Sequence, residues 1–103
     1  MDIIFDAVHI SDAAIHAVEV KLFKKEQIDY SRFSGVVKMA ELVSRQCTEI
    51  SSKTFTLHIF AVMDVPEIDL EPLRVNLKKF IDSSQINVVP HIATLNDLQK
   101  EFE

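Results

Sequence analysis

One glycine and three prolines in 103 residues leave this chain almost nothing with which to build flexible linkers, glycine-rich phosphate loops or runs of tight turns. It must fold as regular elements joined by short connections, and no internal repeat or low-complexity tract divides it. Residues 1–103 therefore read as a single domain. An apolar share of 48% is enough to fill one core at this length. The charged residues, 26% of the chain, are scattered among Ile, Leu, Val and Phe rather than gathered in blocks, which argues against disorder. No apolar run approaches the roughly 20 residues needed to cross a bilayer, and MDIIFDAV begins with acid rather than a basic, cleavable leader. The expected location is cytoplasmic, with no membrane partner. A lone cysteine, Cys47, has no internal disulfide partner and lies on an apolar stripe, where a buried inert thiol is expected.

Hydrophobic periodicity divides the chain into seven elements. Residues 2–10 and 15–24 are rich in β-branched and aromatic types, with alternation clearest over Val18-Glu19-Val20-Lys21-Leu22. Ser11-Asp12 is a turn signal between them, so the pair reads as a hairpin. Helix is the competing reading for 12–26, because Ile15, Val18 and Leu22 also share a helical face. From Ser31 to Ile50 apolar residues recur every three or four positions, the period of an amphipathic helix. TFTLHIFAVM (54–63) reads as a strand whose later half is apolar on both sides, as expected when helices or neighbouring strands cover both faces. Asp69 can cap a helix running to Ile81, with Pro72 tolerated in its first turn. INVVPHIA (86–93) is a further strand, placed at an edge or bulge by Pro90. Asn96 then caps a closing helix bearing Leu98 and Phe102. The expected fold is α/β, ordered ββαβαβα, with a mixed sheet flanked by helices.

If the hairpin turn centres between Asp12 and Ala13, paired residue numbers sum to 25. Ile3 then faces Leu22, Phe5 faces Val20 and Ala7 faces Val18, so one side of the hairpin is wholly apolar. The other side sets Asp6 opposite Glu19, with Lys21 and Asp2 further along the same face. Two carboxylates opposed across a ladder repel one another. A hard divalent cation such as Mg²⁺ or Mn²⁺ would offset that repulsion, with a backbone carbonyl and waters completing its oxygen shell. Lys21 is then placed to orient or help deprotonate a metal-bound water, and metal-assisted phosphodiester hydrolysis uses these parts.

The segment FDAVHISDAAIHAVEVKLFKKE resembles the active-site hairpin of the PD-(D/E)XK nuclease superfamily, the restriction-endonuclease-like fold. In that pattern an Asp on one strand is followed, after a turn, by an acid, any residue and Lys on the next. Asp6 matches the first acid and Glu19-Val20-Lys21 the second motif. Asp2 is an alternative first acid, 17 rather than 13 residues before Glu19. The resemblance implies Asp6, Glu19 and Lys21 as catalytic residues. It implies a metal held by Asp6, Glu19, the Val20 carbonyl and, in reserve, Asp2. It further implies a core lacking the usual N-terminal helix, and nucleic acid, DNA foremost, as substrate. So small a core is expected to work as a homodimer or within a larger assembly.

The alternative is a noncatalytic interaction module on a degenerate nuclease-like or other α/β scaffold, such as a toxin-neutralising or assembly partner. A net charge of −5 favours that alternative, since proteins that coat nucleic acid present positive surfaces. His9 and His16 pair across the hairpin on its apolar side, but two ligands do not make a zinc site. His58 and His91 are expected as satisfied strand histidines, and Met39 and Met63 as core filler.

Overall fold

A computed structural model of the chain describes residues 5–65 and 68–101. It is an α/β fold in the order β1 (Ala7–Ile10), β2 (Ala14–Phe23), α1 (Ser31–Ser51), β3 (Thr54–Met63), α2 (Glu71–Asp82), β4 (Asn87–Thr94), α3 (Leu95–Glu101). The strands form one mixed sheet in the order β1-β2-β3-β4, with β1 antiparallel to β2 and the other two pairings parallel. The hairpin is present and the helical alternative for 12–26 is not. Ala7 pairs with Val18, Val8 with Ala17, His9 with His16 and Ile10 with Ile15, the register the turn position requires. Neither Asp12 nor Ala13 adopts a positive φ, and the turn is closed instead by Ser11, whose amide donates to the Ala14 carbonyl and whose hydroxyl bonds the Ala14 backbone at both groups.

Helix α1 starts where Asp29 accepts hydrogen bonds from the Ser31 amide and hydroxyl, bonds that hold its carboxyl below the usual carboxylate range. It ends at Ser52, whose φ of 56° turns the chain into β3. Asp69 accepts from the Glu71 amide at 3.1 Å, but it stands one residue before the cap of α2, which is Leu70 and makes no side-chain capping bond. The cap of α3 is different from the one expected. Thr94, not Asn96, accepts a hydrogen bond from the Asp97 amide, because the helix begins two residues earlier, directly from the end of β4.

Both crossovers, β2-α1-β3 and β3-α2-β4, step the same way across the sheet, so a common handedness puts α1 and α2 on one face. Packing agrees. Phe33, Val37 and Ala40 of α1 and Leu73, Leu77 and Ile81 of α2 form one core with the alternate residues of β3, Phe55, Leu57, Ile59, Ala61 and Met63. The ring of Tyr30 against Phe80, 5.2 Å between centroids, ties the two helices together. Cys47 is half-buried against this core, and so is less enclosed than expected. Met63 is core filler, whereas Met39 is only half-buried. The expected cover of the later half of β3 is met in part: α1 and α2 cover one face, and on the other Val62 is buried while Phe60 is half-buried. Val62 is sheltered near Leu98 of α3, while His58, like Phe60, stays half-exposed. Pro90 lies on β4, an edge strand, the position in a sheet where proline is tolerated. Phe102 lies outside the described residues.

Candidate functional site

Of the acid and lysine residues of the hairpin, Glu19 and Lys21 come together, but on the covered side of the sheet. Alternation along β2 sends Ala17, Glu19, Lys21 and Phe23 towards α1 and sends His16, Val18, Val20 and Leu22 the other way. The apolar side of the hairpin is thus the uncovered one, and Glu19 is only 5% exposed. Helix α1 imposes this inversion by following β2 over the face that carries Ala17 and Phe23. Glu19 is reconciled to burial by Lys21, whose Nζ lies 3.0 Å from Glu19 Oε1 while its stem runs along the half-buried edge of the layer.

Asp6 does not sit in the ladder opposite Glu19, and Phe5 does not face Val20. Pairing stops at Ala7–Val18, because the Asp6 carboxylate takes the place of a backbone carbonyl and accepts the Val20 N–H at 2.6 Å. That substitution releases Phe5, which packs on the covered face with its ring 6.0 Å from that of Phe55. Asp6 itself is exposed. Asp2 lies outside the described residues. Among the described residues no group of three or more His, Cys, Asp or Glu side chains is placed to hold a metal ion. One carboxylate engaged by an amide and another paired with an ammonium do not fit the oxygen shell that Mg²⁺ or Mn²⁺ takes. The nearby cations Lys24, Lys25 and Arg32 line a groove of about 540 Å³ with Asp29, and Arg32 donates to the Leu22 carbonyl at 2.7 Å.

The uncovered face holds an arrangement that sequence reasoning saw only in part. All four histidines of the chain lie on it, one per strand: His9, His16, His58 and His91. His9 and His16 are register partners. His16 Nδ1 lies 3.1 Å from His58 Nε2, and His58 Nδ1 lies 3.3 Å from His91 Nε2. His91 stacks on Phe60 with 4.2 Å between ring centroids. Burial, then the neighbouring rings of His91 and His16, hold His58 below the ordinary histidine range. Around this row stand Val18, Val20, Leu22 and Val89, with Val20 45% and Leu22 39% exposed. No Asp, Glu, Lys or Arg occupies an open-face position on any of the four strands. The signal available in sequence was one histidine at a matching phase in each strand, which becomes legible only once strand order is known.

Among the described residues no helix is long and apolar enough to cross a membrane. Comparison with known proteins finds no family model, no curated protein and no solved structure that matches the chain, so its likeness to the PD-(D/E)XK hairpin rests on the residues of that hairpin alone.

Proposed function

We propose that the chain is a noncatalytic protein-interaction module that pairs with a second copy of itself through the open face of its sheet. One observation carries the reading: α1 and α2 cover a single face of a sheet with two parallel pairings, and the strand positions they leave open hold Val18, Val20, Leu22 and Phe60 beside the histidines and, among the described residues, no Asp, Glu, Lys or Arg. Parallel strands are ordinarily buried on both sides, and an uncovered apolar patch marks a surface that binds.

Charge favours a second copy as the occupant. The chain carries −5, yet among the described residues no Asp, Glu, Lys or Arg stands at an open-face strand position, so stacking two open faces turns the charged layers of α1 and α2 outward, with Asp97 and Lys100 of α3 exposed beside the β4 end. Area permits it, because strands of 4, 10, 10 and 8 residues, at about 3.3 Å per residue and about 4.8 Å apart, make a face of about 500 Å² per copy. Two such faces bury on the order of 1,000 Å², the threshold for a biological interface. Sedimentation velocity at about pH 8, where histidine is neutral, tests this. The expected result is a dimer, converted to a monomer with unchanged circular dichroism by Val20→Glu with Leu22→Glu. A wild-type chain that stays monomeric up to its solubility limit overturns the reading.

A second reading, metal-dependent hydrolysis of phosphodiester bonds in nucleic acid, has in its favour only the hairpin residues themselves, Glu19 and Lys21 being paired and Asp6 bonded to the Val20 amide. On that reading Mn²⁺ raises the melting temperature of the wild type and leaves Asp6→Asn with Glu19→Gln unmoved. A wild-type melting temperature indifferent to Mn²⁺ removes it.

A further inference from the structure

The histidine row crosses the face through which the copies pair, and the inference drawn from it rests on that reading. In a neutral row each imidazole has one N–H donor and one bare nitrogen. The two close contacts, His16 to His58 and His58 to His91, are then both satisfied as N–H···N bonds running in one direction. A single added proton is still accommodated. If His58 takes it, both its nitrogens donate and both neighbours turn an acceptor towards it. A second proton on the linked rings sets N–H against N–H at one of the two contacts and breaks it.

The surroundings offer no relief. The titratable groups facing His58 are His16 on β2 and His91 on β4, while His9 on β1 is the register partner of His16. At the far end Arg74 and Lys78 of α2 border a cavity of about 520 Å³ that His91 also lines; Arg74 is paired with Glu71 at 2.8 Å, and α3, whose Leu98 lines the same cavity, carries Asp97 and Lys100, both exposed. No carboxylate on the open face of any strand compensates a charged row. In an isolated copy water can solvate the imidazolium ions. Between two stacked copies it cannot, and two charged rows would face one another across an apolar layer about 10 Å thick.

We infer that the histidine row places self-association under proton control: copies pair while the row is neutral and separate as it becomes charged. Dissociation must then take up protons. Because the paired form binds fewer protons than the separated one, Kd rises as pH falls through the histidine range, about tenfold per pH unit for each proton taken up.

The test is the Kd of the full chain by sedimentation between about pH 8 and pH 5, for the wild type and for His16→Gln with His58→Gln and His91→Gln. The expected result is a wild-type dimer weakened at least about tenfold per pH unit below about pH 6.5, and a variant dimer whose Kd is flat over the same range. A wild-type dimer with a flat Kd overturns proton control and leaves the pairing intact, whereas a wild-type chain monomeric at the alkaline end overturns the pairing itself. Should the triple variant fail to fold, imidazole ¹⁵N shifts of the wild type decide. Row titration that follows dimer dissociation supports the inference, and a row fully protonated within an intact dimer overturns it.

Discussion

Along β3, Phe55, Leu57, Ile59, Ala61 and Met63 are buried under α1 and α2, while His58 and Phe60, between them, look out from the other side half-exposed. The two faces share one backbone, yet they handle ionisable groups in opposite ways. The covered face admits Glu19, and it does so through a local partner, Lys21, two residues away on the same strand. Among the described residues the open-face strand positions carry no fixed charge, and their titratable groups bond one another across strands that are far apart in sequence. A charge under the helices is therefore compensated within one element and is indifferent to what binds outside. The histidines have no such private compensation, so their state depends on pH and on whatever covers them.

The largest effect expected from breaking this asymmetry lies in the covered layer. Leu57 is fully buried, and Leu57→Ala should cost about 2–5 kcal/mol in urea unfolding. Phe60→Ala, one layer across, should cost the monomeric form less despite the larger side chain removed, because Phe60 already meets solvent and its main contact is the stacked His91 ring. Equal costs would mean that the open face is as well covered as the other.

A smaller loss is expected at the ion pair. Glu19→Ala leaves the Lys21 ammonium half-buried without its partner and should cost about 1–3 kcal/mol, the range for a buried polar group left unsatisfied. Lys21→Met in the same chain should recover part of that loss, since it removes the orphaned charge and keeps the stem packed. An additive double variant would show that the two side chains do not compensate each other.

Element order, the hairpin register and the edge position of β4 were legible because each follows from periodicity or from one residue: the 2.0 and 3.6 periods, the Ser11-Asp12 turn, Pro90. Which face of the hairpin would be covered was not. Val18, Val20 and Leu22 read as core and Glu19 with Lys21 as surface, but the route of α1 decides coverage, and that route depends on the crossover rather than on the hairpin's own pattern. The early end of β1 was hidden for a related reason. An aspartate replacing a carbonyl in the ladder looks in sequence like any acid at a strand position, and only the 2.6 Å contact to Val20 tells them apart.

Smaller still is the pH response of the monomeric form, which separates the faces by a different route. With His58 held below its ordinary value of 6.5, the unfolded chain binds more protons than the folded one as pH falls through that value. The contribution is therefore complete above about pH 6.5 and is lost progressively towards the lowered folded-state value. Melting temperature followed from about pH 8 to pH 5 should fall more in the wild type than in His58→Gln. Matching curves for the two chains would place the pH sensitivity outside the row.

Gly35 gives the smallest effect and the cleanest control. It lies on the exposed side of α1, has no positive φ, and a Cβ added there meets nothing within 4 Å. Alanine removes the entropic cost of a mid-helix glycine without creating a contact, so Gly35→Ala should raise stability by about 0.5–1 kcal/mol. Because α1 lies on the face opposite the histidine row, the gain should leave both the Kd of self-association and its pH dependence unchanged. A variant that is more stable yet pairs differently would mean that the two faces are coupled through the sheet, and the division of labour between them would have to be abandoned.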